Sequence, residues 1–167
     1  GYLAPARAAE WTDYALEGTA TTSNTLAVSF RQSGNNGPSL QFAAGQNTLG
    51  PLRLNNGGWA ADGTISLPAG TLTAGKPFRF RIAVSGQQVT VSIDGTQVAQ
   101  YSRPWIPASG TVGIRVSGGE TGTLDDLVVR RFGDGPYLYA DDFDARAAGA
   151  AGATAAGYAG LELVEVC

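Results

Sequence analysis

Two tryptophans stand where a ligand could meet them. Trp59 ends the Gly/Asn run NNGGW at 55–59, and Trp105 sits in the Pro-bounded loop RPWIPASG at 103–110. Neither falls in an alternating apolar run, so both read as loop residues. A flat indole suits a sugar, whose ring offers a C–H face to stack and hydroxyl edges to bond. Polar groups fit around such a platform. Tyr101 is close to Trp105 in sequence, Arg31 points opposite to Phe30, and Arg115 lies on the polar face of its strand. Asn35, Asn36, Asn55 and Asn56 add amide donors and acceptors. The ligand-binding candidates are therefore Trp59, Trp105, Tyr101, Arg31, Arg115, Asn35 and Asn56. For each tryptophan taken singly, a structural use as a plug at one end of the core weighs more. Trp11 is the tryptophan expected inside.

The second group with chemistry is acidic: Asp126, Asp141, Asp142 and Asp144. Calcium takes six to eight oxygen ligands from carboxylates, carbonyls and water. Asp141 with Asp144, or Asp142 with Asp126 from a neighbouring strand, could supply two or three. The spacing is not that of an EF-hand loop. Capping turns and solvating an edge strand are the competing uses, and they weigh slightly more. Arg79, Arg81 and Arg103 read as a solvated face beside acidic residues.

Composition removes several functions. Histidine is absent, which excludes a Ser-His-Asp or Cys-His triad and any His-liganded metal. Eleven basic residues face fourteen acidic ones, with no basic block, so a nucleic-acid partner is not expected. The acidic balance also disfavours anionic lipid surfaces. No apolar run is long enough to span a bilayer as a helix. Cys167 is the sole cysteine, so no internal disulfide forms. There is no signal peptide, although a mature secreted protein would have lost one.

These residues must be positioned by strands. In FRFRIAV at 78–84, Phe78, Phe80, Ile82 and Val84 alternate with Arg79, Arg81 and Ala83, and Val89, Val91 and Ile93 continue the pattern. A period of two marks strands with one buried face. Ser85-Gly86 and Asp94-Gly95 read as the turns between them. Further strands are expected at Trp11–Thr22, Leu26–Gln32, around Leu40 and Phe42, at Leu52 and Leu54, and at Ile65 and Leu67. Others follow at Val98–Tyr101, Val112–Val116, Leu124–Arg130, Tyr137–Phe143 and Leu161–Val166. Short strands separated by turns, in a chain with 24 glycines and 8 prolines, predict an all-β, two-sheet antiparallel β-sandwich. Residues 145–160 are almost wholly Ala and Gly and read as a connector in a C-terminal tail.

The segments WTDYALEG, LAVSFRQS, FRFRIAVSGQQVTVSIDGTQVAQY, GTVGIRVSGG and LDDLVV, in this order, resemble the concanavalin A-like, laminin G-like jelly rolls of bacterial extracellular proteins. The likeness covers roughly 11–130. It implies a jelly roll, a secreted or cell-surface setting, and relatives that include sugar-binding modules, adhesive modules and some enzymes. Glucanases of this architecture resemble one another in an E-x-D-x-x-E strand, which is missing here, and the lyases of the fold lean on histidine. Catalysis is therefore poorly supported.

The expected domain is 1–132, and 133–167 forms a tail whose strands complete the same sandwich or a neighbouring subunit. The family's usual first strand, of the type D-D-F, appears instead at 141–143. Three functions follow in order: a non-catalytic extracellular carbohydrate-binding module; a structural subunit of a surface layer or filament joined by strand exchange; and a glycoside hydrolase or polysaccharide lyase. Expected partners are carbohydrate, other copies of the chain or neighbouring domains, with calcium as the one candidate cofactor.

Overall fold

The apolar-polar alternation becomes fourteen strands in a computed structural model that describes residues 2–5, 11–115, 120–131, 137–141 and 161–164. Asp142, Asp144, the Ala/Gly stretch at 145–160 and Cys167 lie outside the described residues. The strands are β1 (Tyr2–Pro5), β2 (Tyr14–Thr22), β3 (Thr25–Gln32), β4 (Gly37–Ala43), β5 (Thr48–Asn55), β6 (Gly58–Ala61) and β7 (Ile65–Ser66). They continue as β8 (Phe78–Ser85), β9 (Gln88–Ile93), β10 (Thr96–Ser102), β11 (Thr111–Arg115), β12 (Gly122–Arg131), β13 (Tyr137–Asp141) and β14 (Leu161–Val164). Among the described residues no helix is long and apolar enough to cross a membrane.

Two sheets form. The first runs β10-β9-β8-β2-β12-β13, and the second runs β11-β3-β4-β5-β6 with β7 also paired to β5. β1 and β14 make a separate antiparallel pair, with β1 beside β11. β13 pairs antiparallel with β12.

Period-two burial explains the layering. On the first sheet Tyr14, Leu16, Phe80, Ile82, Val84, Val89, Val91 and Val129 point inward and are buried. On the second, Leu26, Val28, Phe30, Leu40, Phe42 and Leu49 do the same. Neither sheet can leave that much apolar surface in water, so they pack face to face. Phe42 joins the layers, with its ring centroid 5.1 Å from Phe78 and 5.4 Å from Phe80. Outside the first sheet, Glu17 gathers Arg79, Arg81 and Arg130 into a charged face.

Turn chemistry sets the registers. Ile93 opposes Thr96 across Asp94-Gly95, whose φ values are 49° and 81°. Asn55 opposes Gly58 across Asn56-Gly57, at 49° and 84°. Both are two-residue turns with two positive φ angles, the type I′ geometry that Asp-Gly and Asn-Gly favour.

Two details depart from the sequence expectation. Trp59 is a strand residue in β6, because the Asn56-Gly57 turn is tight enough to let pairing resume at Gly58. Trp11 lies before β2 and is only partly buried, packing edge-on to Tyr14 at 6.0 Å.

Candidate functional site

The outward face of the second sheet is read from its register. Arg115 is level with Ala27, Gln41 and Gly50, and Trp59 is level with Leu54. All of these alternate with the inward Leu26, Val28, Leu40 and Leu49, so they share the outer face. Gly113, Ser29, Ser39 and Leu52 share it too.

Arg115 is on β11 and Trp59 on β6, the two outermost strands of the order. Four strand spacings of ~4.8 Å would hold those strands about 19 Å apart on a flat sheet. The Arg115 guanidinium carbon is nonetheless 5.4 Å from the centroid of the Trp59 ring. Two side chains leaning across a flat sheet do not close such a gap, and the register offsets them further. The second sheet therefore curls around its outer face. Between these two strands the outer face carries the small residues Gly113, Ala27, Ser29, Ser39 and Gly50, with Gln41 standing between Ala27 and Gly50. Ala27, Ser29 and Ser39 are buried, and Ser29 Oγ donates to Ser39 Oγ at 3.3 Å. Leu52 and Leu54 flank Trp59 on the neighbouring strand, all three half-buried. The stack itself is weak, ~0.5–1 kcal/mol at an exposed site.

Asn35 and Asn56 are exposed in the turns at the Trp59 end of this face. The two turns are locked together: the Gly57 N–H donates to the Asn35 carbonyl at 3.0 Å, and the Asn56 N–H to Asn36 Oδ1 at 3.1 Å. The asparagines thus hold β3-β4 against β5-β6, which fixes where Trp59 stands.

Trp105 and Tyr101 belong to a different place. They lie where the edge strand β10 of the first sheet meets β5 and β6 of the second. Trp105 stacks on the inward-facing Arg53 at 4.9 Å, and Arg103 on Tyr101 at 5.2 Å. Arg103 Nε donates to Asp62 Oδ2 at 2.6 Å. These contacts clasp the two sheet edges. The Tyr101 hydroxyl is buried without a hydrogen-bond partner, and burial pushes its phenol pKa up.

The structure places Arg31, a ligand candidate from the sequence, inside and away from the outer face. Its side chain is 1% exposed, and each of its three nitrogens donates within the protein. Nε donates to the Thr12 carbonyl at 2.5 Å, one terminal nitrogen to the Gly86 and Pro107 carbonyls at 3.0 and 2.7 Å, and the other to Asp13 Oδ1 at 2.9 Å. The cause is backbone: Arg31 has φ of 47°, which breaks the alternation and turns the chain under the loop at 103–110.

Of the acidic candidates, Asp126 is exposed at a bulge in β12, with φ of 50°. Register sets Asp141 opposite Leu127, one residue away. No group of three Asp, Glu, Cys or His that could hold a metal ion occurs among the described residues. An acidic residue that the sequence reading missed is Glu120. Its carboxylate accepts from the Asn24 amide at 3.0 Å, from the Thr25 N–H at 3.1 Å and from the Thr25 hydroxyl. The Thr25 hydroxyl bond is the main cause that holds its pKa below the ordinary value. No local motif announces it, because its partners lie at the start of β3.

The two curved layers define a class: an all-β jelly-roll sandwich. Among solved structures the chain is similar to the carbohydrate-binding module CBM66 from Bacillus subtilis, at 16% identity over 71% of this chain and 75% of that one, with a TM-score of 0.62. It is similar to chicken galectin 2, at 8% identity over 77% and 98%, TM-score 0.60. It is also similar to a tetrameric galectin from the ball sponge Cinachyrella sp., at 15% identity over 76% and 97%, TM-score 0.57. At such identities the likeness is one of fold. No protein-family model matches the chain, and no curated protein matches it.

Proposed function

We propose that this chain is a non-catalytic, lectin-like module that binds carbohydrate on the curled outer face of the second sheet. The observation that carries the reading is the meeting of Trp59 and Arg115 across a face that carries small side chains between their strands. That face combines an aromatic platform, a flexible polar donor and room between them. Asn35 and Asn56 stand at its end as hydroxyl partners. The fold is shared with a carbohydrate-binding module and with galectins, which supports the same reading. Trp105 and Tyr101 belong instead to the clasp between sheet edges and leave the binding set.

On this reading the module works outside the cell, within a surface or polysaccharide-degrading protein, as the likeness of its motifs to concanavalin A-like, laminin G-like domains implies. Calcium taken by Asp141 with Asp144, or by Asp142 with Asp126, is part of the proposal. A rise in Tm on adding calcium, reversed by chelation, is its test.

The central test is a glycan array followed by calorimetry on the wild type and on Trp59→Ala. Glycan binding that falls at least ~10-fold in a variant with unchanged circular dichroism supports the site. A wild type that binds no glycan, or a variant that binds as well, overturns it.

A further inference from the structure

The arginines sort into two kinds. Arg31 pairs with Asp13, Arg103 with Asp62, and Arg79, Arg81 and Arg130 with Glu17. Among the arginines whose side chains the structure describes, Arg53 and Arg115 have no carboxylate partner, and each lies over a tryptophan. Scarcity of acids does not explain this, because the chain carries 14 acidic residues against 11 basic ones. Arg53 is inward-facing and half-buried at the clasp. Arg115 is exposed on the ligand face. The outward positions of β3, β4, β5, β6 and β11 carry no other charged side chain. Asp62, just beyond β6, is already bonded to Arg103.

We propose that Arg115 makes this face selective for glycans bearing an anionic group, a carboxylate or a sulfate, on the sugar ring. The inference rests on the reading of the face as a sugar site. In the free protein the guanidinium covers part of the indole. A sugar that stacks its C–H face on Trp59 must move it aside. A neutral sugar repays the lost stack only with hydroxyl bonds. An anionic sugar offers the freed guanidinium a charge-assisted, two-pronged partner, roughly twice as strong per bond. The same residue thus favours anionic over neutral sugars, and among the described residues of the face no acidic side chain opposes the anion.

The experiment uses the full chain on an array carrying neutral, uronate-bearing and sulfated oligosaccharides. Calorimetry follows with the strongest ligand and its carboxyl-reduced or desulfated counterpart. The wild type should prefer the anionic member ~10-fold at low salt, and less as salt rises. Arg115→Ala should lose that preference, its affinity for the anionic member falling ~10-fold relative to that for the neutral member; Arg115→Lys should keep part of it. Preference for uronates identifies a carboxylate, preference for sulfated sugars a sulfate, and either supports the proposal. Glycan binding with no anionic preference overturns it and leaves the sugar site standing. Absence of any glycan binding removes both.

Discussion

The Arg31 backbone N–H donates to the Tyr14 hydroxyl at 2.8 Å, and the Arg31 guanidinium carbon lies 5.9 Å from the centroid of the same ring. One residue of β3 thereby grips one residue of β2, across the two sheets, by its backbone and its side chain. Burial pushes the Tyr14 phenol pKa up, so the hydroxyl remains a neutral acceptor. The guanidinium then closes the end of the sandwich by bonding Thr12, Gly86 and Pro107.

Arg31→Met keeps much of the volume and removes every donor. Three carbonyls lose their partner, each at ~1–3 kcal/mol if it stays dry, so urea unfolding should show a loss of roughly 3 kcal/mol or more. Tyr14→Phe should cost about 1–3 kcal/mol by orphaning one N–H. Glycan affinity of the folded fraction should not change in either. A folded Arg31→Met that binds glycan less well would return Arg31 to the ligand set.

How far the sequence could be read depends on what alternation encodes. Phe78, Phe80, Ile82 and Val84 announce their strand and its inner face without help from the rest of the chain. Asp94-Gly95 announces its turn. Arg31 looked solvent-facing because alternation opposite Phe30 assumes extended backbone, and nothing in the local pattern announces the φ of 47° that breaks it. Trp59 looked like a loop residue because four-residue edge strands leave no periodic trace. The Trp59-Arg115 meeting is illegible for a deeper reason. It depends on the curl of a whole sheet, a sum of small twists over five strands that no local pattern carries.

The clasp gives a prediction against intuition. Tyr101 has a buried hydroxyl with no hydrogen-bond partner. Removing an unsatisfied buried polar group is neutral or favourable, so Tyr101→Phe should leave stability unchanged or raise it by up to ~1 kcal/mol. A loss of that size in urea unfolding would mean that an ordered water holds the hydroxyl. Asp62→Asn should cost about 1 kcal/mol, since both partners of the Arg103 bridge are about one-third exposed and water screens them.

Glu120 supplies a pH dependence. Three donors hold its carboxylate charged, so its folded pKa lies below the unfolded value near 4.5. Its contribution is complete above that unfolded value and disappears as pH falls through the folded one. The Tm gap between the wild type and Glu120→Gln should therefore be constant near neutral pH and close below ~pH 4. A gap that widens on acidification would show that the donors do not favour the charged form.

Gly110 tests how the Trp105 loop is seated. It precedes β11 with φ of 158°, and a methyl there would be driven into the Arg31 carbonyl carbon and the Gln32 carbonyl oxygen. These are backbone atoms of β3, which has no flexible end to give way. Gly110→Ala should therefore push β11 off β3 and cost more than ~3 kcal/mol by urea unfolding, among the largest single-site losses. Because β11 carries Arg115, the folded remnant should also lose its anionic preference. Gly34 is the control: its φ is also positive, at 58°, but no atom lies within 4 Å of an added Cβ. Gly34→Ala should cost only local backbone strain, about 1 kcal/mol. Equal losses at the two positions would mean that backbone strain, and not the close approach of the loop to β3, sets the cost at Gly110.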